Sequence, residues 1–89
     1  MVEMTAASHE SIVELLHYVA SILVDKTDEV QVESEAKEDG GLHLKLRVAN
    51  DDIGKIIGKQ GRTARALRNL IGAAAHQRSF QVTVEFVDA

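Results

Sequence analysis

Ile56-Ile57-Gly58-Lys59-Gln60-Gly61-Arg62 is the stretch on which the fold turns. Two bulky aliphatics run into a glycine, a basic–polar pair, a second glycine and an arginine. Glycine lacks a Cβ, so its backbone takes φ > 0 and lets another chain approach closely. Lys59 and Arg62 put positive charge at the same spot. Helical periodicity flanks the stretch on both sides. The pattern predicts a tight, basic, bare-backbone turn between two helices, a shape suited to clamping a sugar–phosphate backbone.

Downstream, Ala64, Leu67, Leu70, Ile71 and Ala74 recur at helical spacing over about 62–77, and Arg62, Arg65, Arg68 and Asn69 are left for the outside. Phe80, Val82, Val84 and Phe86 then alternate with Gln81, Thr83 and Glu85, the clearest strand of the chain. Upstream, Asn50 or Asp51 caps a short helix through about Ile57, with Asp51 and Asp52 at its positive end. Before it, Leu42, Leu44, Leu46 and Val48 alternate with His43, Lys45 and Arg47, and Val30 and Val32 start a shorter alternating run. Glu38-Asp39-Gly40-Gly41 supplies the hairpin turn between the two runs. Ile12, Leu15, Leu16, Val19, Ile22 and Leu23 mark a first helix over about 9–25, N-capped by Ser8, and residues 1–8 read as a flexible tail. The order is helix, strand, strand, short helix, turn, helix, strand. One apolar face per strand predicts an α+β domain over 9–89, with three helices packed on one face of a three-stranded sheet.

Eighty-nine residues make one domain with one modest core. No cysteine is present, which removes disulfides and thiolate metal sites and fits an intracellular setting. No apolar run approaches a membrane span and Met1-Val2-Glu3-Met4 lacks the basic start of a signal peptide, so the expected location is the cytoplasm. The net charge of −4 argues against a nucleic-acid ligand until its distribution is read. Residues 1–40 carry ten acids against Lys26 and Lys37, and residues 41–89 carry eight bases against four acids. Between Ile53 and Val84 there is no acid, only Lys55, Lys59, Arg62, Arg65, Arg68 and Arg78. Binding follows the local field, not the total charge.

Helix, Gly-x-x-Gly, helix and strand, preceded by an extra helix and strand, resembles the type II KH domain (α-β-β-α-α-β). Residues 51–71, Asp-Asp-Ile-Gly-Lys-Ile-Ile-Gly-Lys-Gln-Gly-Arg-Thr-Ala-Arg-Ala-Leu-Arg-Asn-Leu-Ile, are similar to the small stand-alone KH proteins of bacteria, the KhpA type. The specific part is Ile-Gly-Lys-x-Gly-Arg-x-x-x-x-Leu-Arg; a bare Gly-x-x-Gly carries little. The resemblance implies a cytoplasmic RNA-binding protein acting as chaperone or post-transcriptional regulator. It also implies homodimers, and heterodimers with a larger KH-domain partner. In KH modules the Gly-x-x-Gly loop clamps about four nucleotides of single-stranded RNA.

Other chemistries find no constellation here. For a P-loop, Gly54 precedes Gly58-Lys59 by one residue too few, and Gln60 stands where the magnesium-binding hydroxyl belongs. His9, His17, His43 and His76 have no metal-ligand spacing, and no serine sits in a nucleophile elbow. Neither an enzyme nor a cofactor site is expected. Tyr18, Phe80 and Phe86 are the only aromatics, too few for base stacking on an aromatic platform.

The expected RNA site is therefore Ile53, Lys55, Ile57, Gly58, Lys59, Gln60, Gly61, Arg62 and Arg65. Gly58 and Gly61 let the backbone meet phosphates. Lys59, Gln60 and Arg62 donate to phosphate oxygens with Lys55 nearby, and the N-terminus of the following helix adds its positive end. Ile53 and Ile57 floor a groove, one of Ile56 and Ile57 being core and the other groove. Arg65 and Arg68 serve either as polar cover or as RNA contacts. Val13 and Tyr18 widen the apolar face of the first helix as extra core or as a partner surface; the Ile56/Ile57 pair is the other candidate for a dimer contact. The competing reading is a KH-shaped protein–protein adaptor with weak or lost RNA binding, for which the acidic N-terminal half speaks.

Overall fold

The computed structural model describes the backbone of residues 2–88 and the side chains of residues 9–88. Helix α1 runs Val2–Leu23, strand β1 Gln31–Ala36, strand β2 Leu42–Val48, helix α2 Ile53–Ile57, helix α3 Arg62–Gln77 and strand β3 Val82–Asp88. Short 3₁₀ turns at Thr27–Glu29 and Asn50–Asp52 lead into β1 and α2. The sheet order is β1-β2-β3, with β1 antiparallel and β3 parallel to β2. The hairpin accounts for the first pairing; a parallel partner requires a crossover, which α2 and α3 provide. This is the type II KH arrangement, an α+β fold.

The central strand anchors the core. Leu42, Leu44, Leu46 and Val48 are all buried, and Ile12 and Leu16 of α1, Ile56 of α2 and Leu67 and Ile71 of α3 close over them. All three helices thus lie on the face to which even-numbered β2 residues point. The other face is polar. There His43 Nδ1 meets Thr83 Oγ1 at 2.6 Å, and Glu33 stands opposite Lys45.

Several boundaries and faces differ from the sequence expectation. Helix α1 begins at Val2, upstream of Ser8, because nothing between them breaks a helix; it ends at Leu23. Its buried line is Ile12, Leu16 and Ala20, at strict i+4 steps, with Val24 just beyond. Ile22 is 64% exposed and Tyr18 65%, so the apolar face is wider than the sheet and α3 can cover. In α3 the line is Ala64, Leu67, Ile71 and Ala75; Ala74 is half-buried and Leu70 is 45% exposed. The last strand starts at Val82 rather than Phe80. Ser79 takes φ 67°, and the N–H groups of Ser79 and Phe80 bond the carbonyls of His76 and Ala75, a Schellman-type helix end that consumes the two residues. Phe80 packs instead edge-to-face on His9, with ring centroids 4.6 Å apart.

Candidate nucleic-acid interface

The connection between α2 and α3 bends through three residues with positive φ. Gly58 has φ 75° and ψ 173°, Gln60 φ 58° and Gly61 φ 73°. A Cβ on Gly58 would lie 2.3 Å from Thr63 Oγ1 and 2.9 Å from Thr63 N, so glycine is needed for space as well as for φ. At Gly61 the space is open and only φ demands glycine. The turn is closed internally: Gly58 N–H donates to Gly54 C=O at 2.8 Å and Gly61 N–H to Gly58 C=O at 3.1 Å. The glycine amides are therefore already engaged. The two glycines contribute shape and bare Cα surface, and donation to a phosphate falls to side chains.

Those side chains are in place. Lys59 and Arg65 are exposed and have no ion-pair or hydrogen-bond partner among the described residues. Arg62 is exposed and its Nη2 donates to Gln60 Oε1 at 3.3 Å, which holds the two side chains together over the turn. Ile53 and Ile57, at i and i+4, share one face of α2, half-buried and 37% exposed respectively, while Ile56 is fully buried. Ile57 is thus the groove residue of the pair and Ile56 the core residue.

Lys55 departs from this group. It lies about 200° around α2 from both Ile53 and Ile57, at 100° per residue. Its Nζ bonds the carboxylates of Asp25 and, at 3.2 Å, Asp52. Asp52 is the one buried charged residue among the described residues, 1% exposed. It makes no N-cap bond to its own helix; its carboxylate accepts the N–H of Lys26 at 3.0 Å and of Asp25 at 3.3 Å. These bonds, the Lys26 N–H foremost, hold the Asp52 carboxyl below the ordinary carboxylate range against the opposing effect of burial. The Asp25 carboxylate, then that of Asp52, pushes the Lys55 ammonium above its ordinary value, and Asp51 does the same to Lys26 at 3.0 Å. This cluster ties the end of α1 to the start of α2 and so positions the turn. The i,i+3 spacing of Asp52 and Lys55 was visible in the sequence; the partners 25 to 30 residues away were not.

Arg68 has yet another environment. Its guanidinium lies 4.7 Å from the centroid of the Phe86 ring, and its Nε donates to Val84 C=O at 3.3 Å. No group of three or more His, Asp or Glu among the described residues could hold a metal ion, and no helix among them is long and apolar enough to cross a membrane.

Comparison with known proteins points the same way as the fold. The family model "KhpA/KhpB, KH domain" matches residues 13–86. The RNA-binding protein KhpA of Treponema pallidum is 49% identical over 76 residues, covering 84% of this chain and 92% of the relative. The RNA-binding protein KhpA of Clostridium acetobutylicum is 49% identical over 74 residues, covering 83% and 97%. That of Halalkalibacterium halodurans is 46% identical over 74 residues, covering 83% and 96%.

Proposed function

Because this chain belongs to the KhpA/KhpB KH-domain family, we propose that it binds single-stranded RNA in the cytoplasm, as a chaperone or post-transcriptional regulator. It acts by binding, not by catalysis. The observation that carries this reading is the Gly58–Gly61 turn with Lys59, Arg62 and Arg65 uncompensated around it, beside the apolar face of Ile53 and Ile57. Phosphates sit against the glycine Cα surface and the cations, and bases lie over the isoleucines. Lys55 belongs to the scaffold of the turn rather than to the phosphate contacts. Replacing Lys59 and Gln60 together by Asp tests this. The loop is exposed, and Asp tolerates the positive φ at position 60. Affinity for a labelled single-stranded RNA falls by at least about tenfold, since each lost charged contact is worth about 1.5–3 kcal/mol, while the thermal midpoint stays near wild type. Unchanged affinity refutes the clamp.

The assembly follows from what the core leaves out. Val13 packs half-buried against the core and Ile56 is buried, so neither is a partner surface. Tyr18 and Ile22 of α1 and Leu70 of α3 stay exposed on two helices that pack against each other. We propose that these exposed apolar side chains join two copies, or one copy and a larger KH-domain partner, with both clamps open. Two grooves on one RNA gain avidity through effective concentration. Sedimentation of Ile22→Glu at micromolar concentration is expected to give a monomer where wild type gives a dimer; a wild-type monomer that recovers no KH-domain protein from extract refutes the assembly.

A further inference from the structure

We propose that the open edge of β1 docks an extended segment of a partner protein in which basic and apolar residues alternate, adding it to the sheet as a fourth strand. This surface is separate from the RNA site, and the proposal does not rest on RNA binding. In the order β1-β2-β3 the outer side of β1 has no neighbouring strand. Lys37 N–H donates to Gly41 C=O, so by alternation Glu35, Glu33 and Gln31 turn their backbone groups toward β2. Val32, Ser34 and Ala36 turn theirs outward, where they have no partner among the described residues. Such a row of free N–H and C=O groups is the template for strand addition.

A groove runs beside this edge. Val32, Ser34 and Ala36 pair with Leu46, Leu44 and Leu42, so their side chains lie on the helix side of the sheet. Ser34 and Ala36 are nevertheless exposed, so α1 leaves the far end of β1 uncovered. The groove is lined by His9, Glu10, Val13, Glu14 and Ser34. Val13 gives it an apolar wall, and His9 Nε2 is buried with no hydrogen-bond partner, a polar atom that a docked chain can satisfy. Charge sets the occupant. Glu10, Glu14 and Glu35 are exposed and have no ion-pair partner among the described residues, and Glu33 meets Arg47 only at 3.9 Å. A strand laid beside β1 puts alternate side chains into the groove against Val13, and the others on the outer face beside Glu33 and Glu35. Apolar residues suit the first set and lysine or arginine the second, with Glu10 and Glu14 adding to the field. A second copy of β1 would set Glu33 and Glu35 against their own duplicates, and RNA would bring phosphates against them, so both are repelled.

The probe is a fluorescein-labelled nonapeptide of alternating lysine and valine, titrated against the full chain by anisotropy. Two N-methylated forms, one methylated on the valines and one on the lysines, each block one edge of the peptide and keep its charge. The parent peptide is expected to bind, and one N-methylated form to lose about fivefold or more in affinity, since it forfeits several backbone hydrogen bonds. Ser34→Pro deletes an outward N–H and spares the bonds between β1 and β2, a change an edge strand accepts. It is expected to weaken the parent peptide about fivefold or more and to leave affinity for single-stranded RNA within about twofold. The triple variant Glu10→Gln, Glu14→Gln, Glu35→Gln keeps the backbone edge and decides the matter even if Ser34→Pro unfolds; it is expected to weaken the peptide about threefold or more. Equal binding of the parent and both N-methylated forms shows charge attraction without strand addition and overturns the proposal. Failure of the parent to bind, or full affinity in the triple variant, overturns it as well, and the glutamates then only guard the edge against pairing.

Discussion

Gly58→Ala and Gly61→Ala look like equivalent changes in the motif, and the structure separates them sharply. At Gly58, φ 75° with ψ 173° lies in a region reserved for glycine, a strain of about 1–3 kcal/mol for alanine. The new Cβ would also stand 2.7 Å from Thr63 Cβ and 2.9 Å from Thr63 N, atoms fixed by the first turn of α3. Together these cost at least about 3 kcal/mol, or they open the α2–α3 junction. At Gly61, φ 73° with ψ 15° is ordinary left-handed helix and the space is open, so alanine costs about 1–2 kcal/mol. For a domain of this size each kcal/mol moves the thermal midpoint about 4–8 °C. Gly58→Ala is expected to lower it by roughly 12–24 °C and Gly61→Ala by roughly 4–16 °C, a smaller shift under the same conditions. Thermal unfolding by circular dichroism, checked by urea titration, measures both. Thr63→Ala does not rescue Gly58→Ala, because the offending Cβ and backbone nitrogen remain. A Gly58→Ala protein no less stable than Gly61→Ala, or one restored by Thr63→Ala, refutes the packing argument.

Three cations, Lys59, Arg62 and Arg65, are available to phosphates, since Lys55 is held by Asp25 and Asp52. At about −0.7 per contact on a single strand, the log–log slope of affinity against salt is near −2; a slope near zero favours the adaptor reading. Asp52→Asn removes a carboxylate whose pKa is lowered in the fold, so the stability it contributes is complete above the unfolded value of about 3.9 and is lost as pH falls through the folded value. The midpoint of Asp52→Asn is therefore expected below that of wild type at neutral pH, and the gap closes in acid; a gap that persists under acid refutes the ionic role. Lys55→Gln is expected to reduce stability through the same cluster and to leave the salt slope of RNA binding unchanged, whereas Lys59→Gln reduces its magnitude by about 0.7.

Residues next to one another in the chain were legible in the sequence. The Gly58–Gly61 turn, the helices flanking it and the alternation of β2 are local patterns, and each reappears where expected. The i, i+4 relation of Ile53 and Ile57 even assigns them to one face. The ion pairs of Lys55 were not legible, because a charge beside a basic loop looks like part of it, while a rotation of about 200° carries it to the opposite side of a short helix from Ile53 and Ile57. Leu70 and Ile22 fall on apolar helical stripes yet stay exposed, because periodicity marks an apolar face without marking how much of that face the rest of the fold covers.

Element order, the basic turn and the uneven spread of charge follow from the chain alone, because backbone preference and side-chain period act over a few residues. Which cations remain free depends on the folded chain, since Asp25 and Asp52 must come together around Lys55 before its charge is spent. It alone decided that Gly58 is irreplaceable for space, through Thr63. And it alone set Arg68 on the open edge of β3, because which strand of a sheet is left unpaired depends on chain crossover, not on the residues of the strand.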